Sequence, residues 1–237
     1  MDNQVLDEID AHCHLTRIKE IPHLGEWILG GYDPEDWAKQ RELKDRLGDR
    51  VHTAFGLHPW WIAERTEKEI ETALDLWDEK AKDAEFLGEM GLDSLRANLK
   101  NQTTAFQHQL EKAREWKKPV VLHIVKAHAE AMKLLTPMRG IVHGFSASQE
   151  IGEGYLKLGL LLSVGPQITR DGYRDLKKAI PLFPRTGIVI ETDAPDQCPN
   201  LGDLRKVAEA VGRLQGRTAQ EVLSQSKTNL ESLICRG

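Results

Sequence analysis

Histidine and acidic residues recur at the ends of short apolar runs in this 237-residue chain. His12 and His14 end the first such run and are separated by one residue. Imidazole nitrogens and carboxylate oxygens are common protein ligands of divalent metals such as zinc, manganese, cobalt and nickel. We therefore identify six candidate metal ligands, which are His12, His14, Glu89, His123, His143 and Asp193.

The composition of this set indicates the class of metal and the number of ions. Four imidazoles and two carboxylates, without a thiolate, suit borderline divalent ions better than magnesium, which prefers an almost all-oxygen shell. Six ligands are too many for one tetrahedral zinc ion with an open position. They suit two ions that share a carboxylate, which in such sites lie roughly 3.5–4 Å apart. We therefore expect two divalent metal ions, and the sequence does not distinguish Zn, Mn, Mg, Co or Ni.

Each candidate also has a purely structural interpretation. A single histidine at a strand end is more often a hydrogen-bonded structural residue, and Asp193 could cap a helix. The metal hypothesis depends on the residues jointly, because four of the nine histidines and two acids fall at five strand ends. Cys13 lies between His12 and His14, so strand alternation points its side chain to the opposite face. We therefore expect Cys13 to pack under a helix and not to bind metal.

Alternating strands and helices must bring these residues together. Apolar runs predict eight strands, at residues 5–14, 27–30, 51–57, 86–89, 120–123, 141–143, 160–164 and 188–193. Helical spacing and capping residues predict helices that begin at residue 33 and cover 66–81, 103–116, 127–135, 147–158, 171–180, 201–215 and 218–233. This alternation implies parallel strands joined by right-handed crossovers.

Eight such units predict an α/β fold with a single (β/α)₈ TIM barrel domain over residues 1–237, near the typical length of about 250 residues. An open doubly wound sheet is the alternative, although the chain has no G-x-G-x-x-G or P-loop signature to support it. In a barrel the strands end on one face, where catalytic sites lie. The six candidate ligands would therefore converge there. His58 follows the third strand and is expected on the same face, in contact with substrate.

Composition and charge narrow the possible functions and locations. The net charge of −5 argues against a protein that coats duplex nucleic acid, but it allows an enzyme that acts on nucleic-acid ends, where bound metals supply positive charge. Three widely spaced cysteines are typical of a reducing compartment. The polar start and the absence of an apolar run of roughly 18 residues predict no signal peptide and no membrane span. We expect a cytoplasmic, monomeric protein without a protein partner.

Six short motifs occur in a fixed order between the first and last predicted strands. They are Asp10-Ala-His-Cys-His-Leu15, Gly56-Leu-His-Pro59, Gly88-Glu-Met-Gly-Leu-Asp93, Leu122-His123, His143-Gly-Phe-Ser146 and Glu191-Thr-Asp-Ala-Pro195. Together with Thr228-Asn229, they resemble the TatD family of metal-dependent hydrolases. The resemblance implies a TIM barrel of the amidohydrolase superfamily and a deoxyribonuclease-type activity on phosphodiesters.

The resemblance also implies a division of the ligands between two ions. His12, His14, Glu89 and Asp193 would hold the first, and Glu89, His123 and His143 would hold the second, with Glu89 as the bridge. One departure concerns the substrate. Many family members have His-x-Arg-x-Ala after the fifth strand, where the arginine can contact phosphate. Here Val125 takes that place, and the adjacent Lys126 is the candidate phosphate contact.

The leading functional hypothesis is a divalent-metal-dependent hydrolase that cleaves DNA, in single strands or at ends. Asp193 would be the general base, Glu89 and His58 further catalytic residues, and His58 and Lys126 substrate contacts. Trp60 and Trp61 could add a stacking wall for a base, with half-buried packing expected for at least one of them. A small ester, amide or lactone is the alternative substrate, since Val125 does not bind phosphate. A binding protein on a barrel that has lost its activity is the third interpretation.

Overall fold

The computed structural model describes residues 8–234, in which strands alternate with helices. The strands are β1 (Ile9–Cys13), β2 (Glu26–Leu29), β3 (Val51–His52), β4 (Ala54–Phe55), β5 (Phe86–Asp93), β6 (Val120–Val125), β7 (Gly140–Val142), β8 (Leu160–Val164) and β9 (Ile188–Ile190). The helices are α1 (Pro34–Leu47), α2 (Pro59–Ala63), α3 (Glu67–Lys80), α4 (Leu99–Trp116), α5 (His128–Leu134), α6 (Gln149–Lys157), α7 (Arg174–Ala179), α8 (Leu204–Gln215) and α9 (Ala219–Ile234). Each helix in this part of the chain is too short or too polar to cross a bilayer.

The strands form a ring of parallel neighbours in chain order. β1, β2 and β3 pair in one ladder and β4 to β9 in another, and β3 and β4 are two halves of the third barrel strand. The last and first strands meet where the amide of Asp193 donates to the carbonyl of His12 (2.9 Å) and the amide of His14 to that of Ala194 (2.8 Å). The predicted (β/α)₈ barrel is therefore confirmed.

The second seam of the ring, beside the split third strand, is closed by other groups. The amide of Gly31 donates to the carbonyl of Gly88, and the amide of Glu89 donates to the carbonyl of Gly31, both at 3.1 Å. The buried Gln40 of α1 accepts from the amide of Ala54 at 2.9 Å. Since buried backbone groups require partners, this side chain replaces a missing ladder bond.

Strand alternation points the site residues into the barrel. One buried cluster contains residues from six strand positions, which only an interior can bring together: Ile28, Ala54, Phe86, Val121, Ile141 and Val189. His123 follows Val121 by two residues, and His143 follows Ile141 by two. Both imidazoles therefore share the inward face, above this apolar layer. Cys13 packs in a separate buried cluster with Trp27, as expected for the outer face.

All eight predicted strands are present, but some of their ends were predicted wrongly. Residues 5–7 of the first predicted strand lie outside the described range. β5 continues to Asp93, so Glu89 lies within the strand and not at its end. Gly88 and Gly91 have φ angles of 140° and 153°, which glycine adopts readily, and the pairing with β6 shifts register between Leu87 and Met90. Asp193, in contrast, lies three residues beyond β9.

Helix starts follow the capping rules more closely. Asp33 caps α1 by accepting from the amide of Asp36 (2.9 Å), with Pro34 at the first helical position. Thr66 and Glu69 form a capping box at the start of α3. The five-residue helix α2 was not predicted. It begins directly after His58, whose side chain caps it by accepting from the amide of Trp60.

His52 forms a buried ion-pair cluster in the third strand. Its Nδ1 lies 2.5 Å from Glu85 Oε2 and its Nε2 lies 2.5 Å from Glu26 Oε1. Burial lowers the pKa of His52, but the hydrogen bonds to the two carboxylates outweigh it and raise the pKa to about 9. Because the folded-state pKa exceeds the unfolded value of about 6.5, the stabilisation is fully present below pH 6.5 and is lost as the pH rises through 9.

We expect His52→Gln to lower the free energy of unfolding by about 2 kcal/mol at pH 6, since charged hydrogen bonds are lost. The difference from the wild type should shrink at pH 10, where His52 is neutral in both states. Urea unfolding at the two pH values measures this. His108→Gln is the control, because His108 pairs with Asp78 at the surface and should contribute less than about 1 kcal/mol. An equal effect of His52→Gln at both pH values would contradict the ion-pair explanation.

Candidate metal centre

The six predicted ligands lie together at the C-terminal mouth of the barrel. All are buried, with no more than 8% of any residue exposed. All except His12 line a cavity of about 1240 Å³ that opens at this face. The structure therefore brings into one site residues that are up to 181 positions apart in the sequence, from His12 to Asp193.

The two oxygens of Glu89 face two different pairs of histidines. Oε2 lies 3.2 Å from Nε2 of His12 and 3.4 Å from Nε2 of His14. We call His12 and His14 the first histidine group. Oε1 lies 2.8 Å from Nε2 of His143 and 3.2 Å from Nδ1 of His123. We call His123 and His143 the second histidine group. Burial alone would raise the pKa of Glu89, but the surrounding imidazoles, His143 first, hold it well below its usual range.

Asp193 completes the first histidine group. Its Oδ1 lies 3.7 Å from Nε2 of His12 and 3.6 Å from Nε2 of His14. Its backbone has a φ of 49°, in the left-handed region that a non-glycine residue adopts at some cost. Burial is the main cause that raises the pKa of Asp193 to about 7, in spite of the nearby His143 imidazole. A carboxylate with this pKa is suited to accept a proton near neutral pH.

The donor set has the properties of a metal centre. The buried nitrogens His12 Nε2 and His123 Nε2, together with Glu89 Oε2, have no hydrogen-bond partner among the described residues. An unpartnered buried polar atom is costly unless another ligand satisfies it. Bonds of about 2.1 Å to a tetrahedral ion would separate its ligands by roughly 3.4 Å, which is close to the spacing within the first histidine group. The residues present therefore fit a divalent ion.

Gly30 lies directly against the ligand side chains of the first histidine group. A Cβ atom on Gly30 would lie 2.4 Å from Cε1 of His12, 2.5 Å from Oε2 of Glu89 and 2.9 Å from Cε1 of His14. A methyl group here would therefore push directly against the ligand atoms of the first histidine group. Its backbone is not in the left-handed region, so alanine is compatible with the backbone itself.

We expect Gly30→Ala to weaken metal binding at the first histidine group by about 100-fold or more. Removal of a residue that hydrogen-bonds a metal ligand typically lowers metal affinity by roughly 10- to 100-fold, and displacement of the ligands themselves should lower it at least as much. Titration calorimetry and elemental analysis of the purified protein measure affinity and stoichiometry. Gly202→Ala is the matched control, because a Cβ there meets nothing within 4 Å. Unchanged metal content in Gly30→Ala would show that the ion lies elsewhere.

Asp10 is a buried acid beside the candidate ligands that the sequence did not lead us to assign. It is buried, and its carboxylate accepts from the hydroxyl (2.5 Å) and amide (2.9 Å) of Thr192 and from the amide of His12 (3.2 Å). Burial raises the pKa of Asp10 to about 8 although these bonds oppose the rise. It fixes the two segments that carry His12 and Asp193. The available signal was alternation, since Asp10 shares a strand face with His12.

Glu191 was also not assigned. It is fully buried, accepts from the amide of Gly144 at 2.6 Å and lies 3.8 Å from Nδ1 of His143. Burial raises its pKa, but the hydrogen bond and charge of His143 outweigh this and lower it. Glu191 faces the ring nitrogen of His143 that points away from Glu89, where it can orient the imidazole.

His58 lies in the site, but its ring nitrogens are both occupied. Nδ1 accepts from the amide of Trp60 at 3.1 Å, and Nε2 lies 3.1 Å from Oε1 of Glu89. Burial is the main cause that lowers the pKa of His58 to about 4, so the ring is neutral. No ring nitrogen is left for substrate. The structure therefore places His58 against Glu89, and the substrate contact of His58 stays a prediction.

The rim of the cavity carries mainly acidic side chains. Among the described lining residues, Arg17 and Lys39 are each ion-paired, to Asp196 (2.7 Å) and Glu35 (2.6 Å). Lys126 is exposed, lines the same cavity and has no ion pair within the described part of the chain. It is thus the lining cation that remains available to an anionic substrate.

Comparisons with known proteins identify the family of this chain. The family model described as "TatD related DNase" matches residues 9–235. A metal-dependent hydrolase, YjjV of Escherichia coli K12, is 28% identical over 207 residues, which cover 79% of each chain. A relative from Erwinia billingiae named 3'-5' ssDNA/RNA exonuclease TatD is 32% identical over 194 residues, covering 78% of this chain and 73% of that one.

Solved structures share the fold. The crystal structure of YjjV, a TatD homologue, superposes with a TM-score of 0.84 and 23% identity over 99% of this chain and 100% of that one. Because the family model covers the barrel from its first strand to its last helix, the chain belongs to the TatD-related DNase family and is a metal-dependent hydrolase.

Proposed function

We propose that this enzyme is an exonuclease that removes nucleotides from the 3' end of single-stranded DNA or RNA, with two divalent metal ions in its centre. The observation that carries the proposal is the division of the two Glu89 oxygens between the two histidine groups. Such an arrangement suits phosphoester hydrolysis by two metals. Relatives named 3'-5' ssDNA/RNA exonuclease support the substrate.

The chain's residues would hold the ions as follows. His12, His14 and Asp193 would bind the first ion, His123 and His143 the second, and Glu89 both. When bound, the ions would lower the pKa of a water molecule and neutralise charge on the phosphate oxygens. Asp193 would serve as the general base and would accept the proton of the attacking water on its carboxylate, whose pKa burial raises to about 7. His58 holds Oε1 of Glu89 in place.

The volume of the cavity and the charge of its rim favour a substrate that enters by its end. Its volume of about 1240 Å³ exceeds the roughly 300–1,000 Å³ of a site for a drug-sized ligand, so a terminal nucleotide and its neighbour can enter. The acidic rim disfavours a long polyanion lying across the mouth. Lys126 binds a phosphate oxygen of the entering end. It thereby supplies the phosphate contact of the family's arginine, whose position in this sequence is occupied by Val125. We propose that the enzyme works in the cytoplasm as a single barrel domain.

Oligonucleotide assays test the proposal. Metal-loaded protein is given short single-stranded DNA labelled at its 5' end, with Mg²⁺, Mn²⁺, Co²⁺ or Zn²⁺, and with or without chelator. We expect a ladder that shortens from the 3' end and disappears with chelator. A circular single strand of the same sequence is the control and should resist. Cleavage of the circle would indicate an endonuclease, and no cleavage with any of the four ions would contradict nuclease activity.

A second candidate is hydrolysis of a small ester or lactone. One observation favours it: two of the three lysine and arginine side chains among the described lining residues are neutralised by acids. Bis-p-nitrophenyl phosphate and p-nitrophenyl acetate, compared as kcat/KM on the same metal-loaded protein, separate the two chemistries. A preference for the acetate would favour this second candidate.

A further inference from the structure

Trp60 hydrogen-bonds two side chains beside the second histidine group. Its backbone amide donates to Nδ1 of His58 at 3.1 Å, and its indole Nε1 donates to Oδ2 of Asp93 at 2.6 Å. His58 and Asp93 belong to different elements, the start of α2 and the end of β5. One residue therefore fixes two groups that the barrel strands alone do not connect.

The first of these contacts sets the tautomer of His58. A neutral imidazole carries its proton on one nitrogen only, and Nδ1 is occupied as an acceptor. Nε2 therefore carries the proton and donates to Oε1 of Glu89, 3.1 Å away. Through this chain, the amide of Trp60 orients the oxygen of Glu89 that faces the second histidine group.

The second contact reaches His123. Asp93 Oδ2 lies 3.8 Å from Nε2 of His123, a buried nitrogen without a hydrogen-bond partner among the described residues. The other nitrogen, Nδ1, faces Glu89. Metal-binding histidines usually donate their second ring N–H to a carboxylate, which fixes the tautomer and the ring plane.

Both the side chain and the backbone amide of Asp93 have hydrogen-bond partners. Its Oδ1 accepts from the amide of Leu95 at 2.8 Å, and its backbone amide donates to Oε1 of the buried Gln102 at 2.8 Å. Only Oδ2 is left for the indole of Trp60 and the ring of His123. Loss of the indole N–H would therefore free the one oxygen that faces the ligand.

We propose that the indole of Trp60 is a positioning group for the second metal site, acting through Asp93 on His123, while the backbone amide of the same residue holds His58 against Glu89. The inference rests on the proposed function, because it requires the second ion. The competing role is a stacking surface for a base, since the ring lines the cavity and carries the Arg96 guanidinium 4.2 Å from its centroid.

Trp60→Phe separates the two roles, because phenylalanine keeps an aromatic ring and the backbone amide but removes the indole N–H. We expect the affinity for one of the two Co²⁺ ions to fall by about 10- to 100-fold, as for other outer partners of metal ligands. The other Co²⁺ should bind as in the wild type, and the KM for an oligonucleotide should change less than twofold. Calorimetric titration and the visible spectrum of the Co²⁺ protein measure the loss without relying on activity.

Trp61→Phe is the matched control. It makes the same chemical change one residue away, where the ring packs against Arg65 with its guanidinium 5.0 Å from the centroid. Asp93→Asn supplies an independent measurement that leaves the Trp60 ring intact, and it should reproduce the loss of affinity for one of the two ions. Because both changes act on one chain of contacts, the double variant should lose little more than Asp93→Asn alone.

The outcomes are distinct. Two ions bound to Trp60→Phe with wild-type affinities would overturn the inference and leave the proposed function standing. A raised KM with unchanged metal affinities would also overturn it, in favour of stacking. A wild-type protein that binds one Co²⁺ only would overturn the proposed two-ion function itself, and the inference with it.

Discussion

Glu89→Gln should remove nearly all hydrolytic activity, with kcat/KM reduced by about 10³-fold or more. A bound metal contributes several kcal/mol to the transition state, and each 1.4 kcal/mol is about tenfold in rate. The amide has one oxygen in place of two, so it cannot face both histidine groups as Glu89 does. Both ions should therefore bind more weakly, which elemental analysis and Co²⁺ titration will measure beside the rate.

Glu130→Gln is the control for this change. Glu130 is exposed on the rim of the same cavity, so its substitution removes the same charge without touching a histidine. We expect it to retain both ions and most of the rate. If Glu89→Gln lost only one ion and the other bound normally, Glu89 would be an ordinary ligand and not the bridge.

Asp193→Asn should lower kcat by about 10²- to 10⁴-fold, the range for loss of a general base. The fold should survive, because asparagine is among the residues that best tolerate a positive φ such as the 49° found here. The amide oxygen can still reach His12 and His14 but cannot take a proton. At least one ion should therefore remain bound, which metal analysis of the purified variant will check.

Asp196→Asn distinguishes the roles of the two carboxylates near His14. Asp196 Oδ2 lies 3.8 Å from Nε2 of His14, but both of its oxygens contact Arg17 on the rim. We expect a change in kcat of less than tenfold. A loss as large as that of Asp193→Asn would move the general base to Asp196, and near-normal turnover in Asp193→Asn would eliminate Asp193 from that role.

Residues whose position depends on strand alternation were predictable from the sequence. His123 and His143 follow buried apolar residues by two positions, so their inward direction follows from the period of a strand. The barrel followed from the repeated strand and helix pattern. The expectation that Glu89 bridges two ions came from the family resemblance, because its strand shifts register and alternation alone does not place it.

Other parts of the site depend on contacts between distant side chains, which no local pattern encodes. Trp60 follows a proline in a five-residue helix, and nothing in its neighbourhood indicates that its indole reaches Asp93. Alternation places Asp10 on the face of His12, but it does not indicate its partner, because Thr192 is 182 residues away. The ion pair of Arg17 with Asp196, which reduces the charge available to a substrate, spans 179 residues.

The seam between the first and last strands has a consequence for synthesis on the ribosome. His12 and Asp193 are joined there by a backbone hydrogen bond and by the bonds of Asp10 to Thr192. A growing chain exposes His12 and His14 first, and the carboxylate that completes their group is translated 181 residues after His12. A nascent chain therefore has no finished first centre to capture an ion. Metal that binds only the closed ring would stabilise the completed protein over every shorter intermediate.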